Sequence, residues 1–239
     1  MISLNSVSRI LLTAALLFSA FAQASDARDP WEDFNRAMFA FNDAADTYVL
    51  KPVAKGYVKV TPAPVRQGVS NVFFNILEVR NVFNDLLQAK FVQAGKDSGR
   101  FLINSTLGVA GVFDVATHMG LPRSDGEDFG QTLAKWGVAD GPYLVLPVFG
   151  PRTLRDAAAT PVDWVTDPKT YIGHTQTSYE IKVFELMDTR SRLLNLEQDI
   201  GADKYVLFRD IYLQRREYLI NDGEVEDDFG GDLDDFDDF

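Results

Sequence analysis

Residues 29–48 place apolar side chains at Trp31, Phe34, Met38, Phe41, Ala45 and Tyr48. Steps of three and four residues predict an amphipathic helix whose buried face is large and aromatic, against other helices or against lipid. Asp29 fits the N-cap, Pro30 the first helical position, and Glu32 completes a capping box. The helical pattern continues around Pro52 and Tyr57 and stops before Pro62 and Pro64. Beyond them, one stripe runs through Val65, Val69, Val72 or Phe73, and Ile76, and another through Val79, Phe83, Leu86 and Leu87. Phe101, Leu102, Leu107, Val112 and Val115 follow in a segment loosened by Gly108 and Gly111. From 121 to 161 the texture turns to Gly, Pro and aromatics, which predicts a long irregular stretch with only 143–148 extended. Its apolar content argues against disorder. Two more helical stripes run through Ile181, Phe184, Met187 and Leu194, and through Tyr205, Phe208, Tyr212 and Leu219. No internal repeat is evident, and the fold class expected is all-α.

Export changes how these faces are read. Arg9, the apolar run 10–21 and the triplet Ala22-Gln23-Ala24 predict a secretion signal over residues 1–24, cleaved between Ala24 and Ser25. Nothing later approaches the roughly 20 apolar residues of a spanning helix. A body over 25–221 is expected to form one large helical domain, followed by an acidic tail over 222–239. Ten of the 35 acidic residues lie after Asn221, where there is no basic residue, leaving 25 acidic against 23 basic in the rest of the chain. A nearly neutral body offers no basic patch for nucleic acid and no polybasic signal for anionic lipid. The tail is too charged to form a core; its Phe229, Leu233, Phe236 and Phe239 could anchor on another protein, or the tail could serve solubility alone.

Candidate chemistry is sparse. The chain has no cysteine, which excludes disulfides, thiolate metal sites, a cysteine nucleophile and acylation at a mature N-terminal cysteine. His118 and His174 belong to no metal or triad pattern, and neither a nucleophile elbow nor a phosphate-binding loop occurs. The acidic run 124–128 misses the spacing of a calcium loop and reads as a turn with a helix N-cap. No metal, cofactor or enzymatic role is therefore expected. Phenylalanine, 18 of 239 residues, is more abundant than a core rich in Leu and Ile would need, and Phe39 widens the apolar arc of the first helix. A membrane surface or a lined cavity would use such faces.

Several segments in order resemble one family: DPWEDFNRAMFAFN (29–42), KPVAKGY (51–57), GVSNVFFNILE (68–78), RFLINSTLGVAGVFDVA (100–116), EDFGQTLAKWGVADGPYLVLPVFGPRTLRD (127–156) and YLQRREYLI (212–220). They are similar to the MlaA (VacJ) family of Gram-negative outer membranes. The resemblance implies a ring of helices in the inner leaflet of the outer membrane, at its periplasmic face, bound to a trimeric porin. A central amphipathic channel would take phospholipids that have strayed into the outer leaflet and pass them to a soluble periplasmic carrier, preserving lipid asymmetry. It puts Phe39, Phe41 and Asn42 on the ring and membrane side, and Arg100, Asn104, Phe129, Trp136, Tyr143 and Pro147 around the channel and its flanking loop. Familiar members are lipoproteins, so the missing cysteine leaves the ring or its porin to hold the protein. The rival readings are a soluble periplasmic lipid carrier with a closed apolar pocket, and a lipid hydrolase.

Overall fold

The computed structural model describes residues 28–173, 175–194 and 203–224. The cleavage site at Ala24 and Ser25, His174 and the tail after 224 lie outside the described residues. The chain divides into two compact units, Met1–Asp199 and Ile200–Phe239. In the first, α1 (Glu32–Ala45) runs through a single π turn (Asp46–Leu50) into α2 (Lys51–Val60). Pro52 explains the wide turn: its ring would crowd the carbonyl four residues back, and the Lys51 amide instead bonds Asp46 O, five residues back. Thr61 is extended, as a residue before proline prefers, and Pro62 precedes α3 (Ala63–Leu87). A short turn at 88–90 leads into α4 (Phe91–Thr106), and the two pack side by side. Then come α5 (Val115–His118), α6 (Phe129–Lys135), a hairpin of β1 (Tyr143–Leu146) and β2 (Gly150–Thr153), α7 (Leu154–Thr166), a 3-10 turn (Pro168–Tyr171) and α8 (Thr175–Leu193). The second unit contributes α9 (Lys204–Ile220), capped by Asp203, whose carboxylate accepts from the Tyr205 amide.

Two expectations fail. The capping box does not form: α1 begins at Glu32, Trp31 occupies the cap position with no side-chain capping bond, and Glu32 pairs forward with Arg36 at 2.7 Å. Asp29 is instead fully buried and accepts from Asn35 Nδ2 at 2.8 Å, because the Arg28 carbonyl is drawn to the Tyr143 amide of β1. Nor is 121–161 irregular. It holds α6, both strands and the first part of α7, each helix started by a local cap: Asp128 accepts from the Gln131 amide and Thr153 from the Asp156 amide.

The interior is the larger surprise. In the first unit the buried apolar side chains are few, chiefly alanines with Phe73, Tyr143 and Val145. Buried polar ones abound: on α3, Ser70, Asn71, Asn75, Glu78, Asn81, Asn84 and Asp85 recur at helical spacing, and Asp97, Arg100 and Asn104 do so on α4. Much of the large apolar material lies outside instead. Phe34, Phe41, Tyr48, Val49, Val53 and Val60 form an exposed stripe along α1 and α2, with Tyr48 80% exposed, and Val65, Phe83 and Leu86 are exposed on α3. The aromatic face of the first helix is thus largely open rather than packed against other helices. Exposed large apolar patches and buried polar groups are the two informative departures from an ordinary water-soluble globule.

The hairpin is tied to α1 by two asparagines. Asn35 Nδ2 donates to Tyr143 O (3.0 Å) and its Oδ1 accepts from the Val145 amide (2.8 Å); Asn42 Nδ2 donates to Leu146 O (2.9 Å) and its Oδ1 accepts from the Val148 amide (2.7 Å). Seven residues of helix and three of strand both advance about 10 Å, so the two amides reach successive backbone groups of β1 as a partner strand would. Val148 sits at φ +70°, a strained position for a β-branched residue, and the Asn42 bond helps hold it there. Asn35→Ala is expected to destabilise the protein by about 1–3 kcal/mol, more than Asn42→Ala, because its partners are buried. Hydrogen exchange should show the Val145 amide deprotected in the first variant and the Val148 amide in the second.

Candidate functional site

Arg100 is the centre of the polar interior. From α4 its Nε donates to Glu78 Oε1 of α3 at 2.7 Å, one terminal nitrogen to Thr117 Oγ1 at 3.1 Å and to the Leu121 carbonyl, and the other to Asp114 at 3.2 Å. Arg100 and Glu78 are each 1% exposed, so the pair is stable only because further hydrogen bonds complete it. Burial pushes the Glu78 carboxyl up from its ordinary value, and bonds from Arg100 and Asn81 pull against that. For Asp114 the balance reverses: burial raises it, but bonds from Thr117 and Asn104 and the Arg100 charge together hold it below the usual carboxylate range.

The same groups shape the chain between α4 and α5. Asn104 donates to Asp114 Oδ1 (3.0 Å) and accepts from the Ala116 amide (2.9 Å), while Asn71 donates to Val112 O (2.9 Å) and Asn75 to Ser105 Oγ (2.9 Å). Gly111 packs against Asn75 so closely that a Cβ would lie 2.7 Å from that side chain, at φ +88°. Val109 and Ala110 are also left-handed, leaving Leu107, Val109 and Phe113 exposed at the tip of the turn.

Beside this turn opens a cleft of about 650 Å³ lined by Gln67, Asn71, Phe113, Asp114, Val115, Thr117, His118 and Arg123. The Arg123 guanidinium lies over the Phe74 ring, 3.8 Å from its centre, and Arg192 lies 4.8 Å from the same ring. Arg192 is also held by Asp188 and by Ser70 Oγ at 3.0 Å. Burial, together with the charges of Arg100 and Arg192, lowers the Arg123 pKa from its ordinary value, against the pull of Asp114 and Glu78.

The nine site residues named from the sequence fall into three groups. Asn42, Tyr143 and Pro147 meet at the hairpin, Tyr143 buried and Pro147 in the exposed turn; of the neighbouring phenylalanines, Phe41 is exposed and Phe39 part-buried. Arg100 and Asn104 meet at Asp114. Phe129 and Trp136 form an edge-on ring pair 5.9 Å apart, and the Trp136 indole donates to Leu87 O at the end of α3. None of the nine lines the cleft among the described residues; Arg100 stands behind it through Asp114 and Thr117. Sequence reasoning missed Asn71, Phe74, Asp114 and Arg123. The regular run of Asn, Glu and Asp along α3 is the signal that could have found this face.

At the other end of α3, Asn84 accepts from Thr132 Oγ1 (2.8 Å), Gln88 donates to Glu127 Oε2 (2.8 Å) and Lys90 to Glu127 Oε1 (2.9 Å), which docks the segment leading into α6. Asp85 is fully buried there. Burial, reinforced by the charges of Asp97 and Glu127, pushes its carboxyl up to about 8.

The fold and site together define a predominantly helical protein with many buried polar and many exposed large apolar side chains among the described residues. The family model described as MlaA lipoprotein matches residues 27–219, and the chain belongs to that family. The chain is 33% identical over 235 residues to the intermembrane phospholipid transport system lipoprotein MlaA of Escherichia coli (strain K12), covering 92% of this chain and 90% of that one. The protein of that name from Haemophilus influenzae is 32% identical over 232 residues, with the same coverage. An uncharacterised protein of Rickettsia typhi is 36% identical over 193 residues, covering 79% of this chain and 76% of its own length. A solved structure reported as "Structural basis for maintenance of bacterial outer membrane lipid asymmetry" superposes with a TM-score of 0.73 at 34% identity, covering 81% of this chain and 99% of that one.

Two stability measurements follow. Arg100→Met, which strands Glu78 and Asp114, is expected to cost about 3–5 kcal/mol, part of it recovered in the double variant with Glu78→Gln. Asp85 loses its proton near its ordinary value of 3.8 when unfolded and near 8 when folded, so its contribution is complete below about pH 4 and is lost as pH rises to about 8. Asp85→Asn should flatten that fall, whose slope is at most about 1.4 kcal/mol per pH unit, in denaturant titrations across the window.

Proposed function

We propose that this protein helps maintain the lipid asymmetry of the outer membrane, removing phospholipids from the outer leaflet and handing them to a soluble periplasmic carrier without making or breaking a bond. The observation that carries this reading is the inverted distribution of side chains. A phospholipid crosses a bilayer slowly because its charged head must leave water, and a polar path bounded by an apolar exterior removes that cost. The polar seam and cleft supply groups for such a path, and the exposed faces suit contact with lipid tails. Membership of the family, and the names its relatives carry, support the same role.

We further propose that the helices form a ring in the inner leaflet, at the periplasmic face, after removal of the signal at Ala24 and Ser25, and that a trimeric porin binds it. No helix among the described residues is long and apolar enough to cross a membrane, which accords with residence in one leaflet. The chain carries no cysteine for an acyl anchor. At roughly 1 kcal/mol for each half-exposed large side chain, the six of the α1–α2 stripe match the few kcal/mol of a single acyl chain. The soluble-carrier alternative calls for a closed apolar pocket, whereas the cleft is open and flanked by charge.

Purification from membranes in mild detergent should recover the protein with porin and intact phospholipid, and the reconstituted complex should move labelled phospholipid from vesicles to the carrier. Release into the soluble fraction with porin present would overturn the membrane placement. Formation of lysophospholipid or free fatty acid would make it a hydrolase instead.

A further inference from the structure

Three guanidinium groups converge beside the cleft, and they are not equally answered. Arg100 is bonded by Glu78, Asp114, Thr117 and the Leu121 carbonyl, and Arg192 by Asp188, Ser70 and Thr189. Arg123 reaches only the far oxygen of Asp114, at 3.5 Å, and Asp114 already accepts from Arg100, Asn104 and Thr117. Its guanidinium also lies over the Phe74 ring, 3.8 Å from the centre, a contact that occupies none of its hydrogen-bond donors. The result is a part-exposed cation at the wall of an open cleft, with donors still open to a ligand.

The cleft also has an apolar part to its lining. Phe113 lines it while remaining 60% exposed, and the strained turn carries Leu107 and Val109, also exposed, beside it. A cation and exposed apolar side chains lining one cleft suit an amphiphile better than a small ion. Resting on the transport reading, we propose that Arg123, held over Phe74, receives the phosphodiester of a phospholipid, whose glycerol ester and first methylenes lie across Phe113. Phosphate suits a planar two-pronged donor, and Arg123 has donors that Asp114 does not occupy. Because the recognised group is the phosphodiester, phospholipids of different head groups are accepted alike.

The test uses the full chain in mild non-ionic detergent and calorimetric titration with four probes: dihexanoyl phosphatidylglycerol, dihexanoyl phosphatidylethanolamine, dihexanoylglycerol and inorganic phosphate. Both phospholipids should bind about ten-fold or more tighter than dihexanoylglycerol, the scale of one charge-assisted hydrogen bond, and tighter than inorganic phosphate by a similar factor. Arg123→Gln should erase the advantage over dihexanoylglycerol and leave the affinity for dihexanoylglycerol unchanged, with the far-ultraviolet dichroism and melting of the variant confirming its fold. Should that variant not fold, the unaltered chain gives the same reading: added salt should weaken phospholipid binding and spare dihexanoylglycerol. Equal affinity for all three lipids, or salt-independent binding, overturns the phosphate site while leaving the transport reading intact. Inorganic phosphate binding as tightly as the lipids also overturns it, since the site would then serve the free ion. Failure of every lipid to bind overturns the transport reading itself.

Discussion

The polar seam between α3 and α4 is the constraint on which the rest of the first unit depends. Helices whose outer faces are apolar gain little from packing those faces together once lipid surrounds them, so their mutual attachment has to come from groups that lipid cannot satisfy. Asn71, Asn75, Glu78, Asn81, Asn84 and Gln88 supply such groups along one side of α3, and each has a named partner on a neighbouring segment or on the same helix. The price of this arrangement is geometric. A dispersed apolar contact tolerates a small shift, whereas Arg100 with four partners does not, so the seam fixes the turn after α4, the start of α5 and the approach to α6 together.

Asparagine recurs for a physical reason. Its amide offers both a donor and an acceptor, as a peptide group does, so it can stand in for backbone wherever a helix must meet irregular chain. Asn35 and Asn42 do this along β1, and Asn104 does it between Asp114 and the Ala116 amide. Charged residues appear where several such turns converge, and the cleft lies at that convergence. Its electrostatics are therefore inherited from the scaffold: Asp114 is committed to Arg100 first, and this leaves Arg123 short of charge.

How much of this was legible in the sequence follows the range of the interaction involved. Helical periodicity is local, and the helices around Phe34, Val69, Phe184 and Tyr212 lie where their spacing puts them, with Pro62 breaking the chain as expected. Which face of those helices turns inward is not local, and an apolar stripe reads the same whether it meets a core or lipid. The capping box at Asp29 failed because a buried partner six residues ahead, Asn35, competes for that carboxylate. The stretch 121–161 looked irregular because its elements are short, and their stability comes from α3 and α1 rather than from their own composition. The family resemblance pointed to Arg100 and Asn104 among six residues around the channel and its flanking loop, but not to Arg123, whose significance arises from what Asp114 is already doing.

The Arg190–Asp46 pair, bonded at 2.6 and 2.8 Å across 144 residues of chain, has a bearing on how the molecule comes into being. Asp46 sits in the π turn of the first rod, and its partner is made close to the end of the unit. The same holds for Ser70 with Asp188, and for Asn35 with Tyr143, 118 and 108 residues apart. Loops of that length close late. The first rod, whose own hydrogen bonds are local, can therefore be complete while its clasps to the rest of the unit are still unmade, and its exposed aromatic face makes that interval the one most open to aggregation.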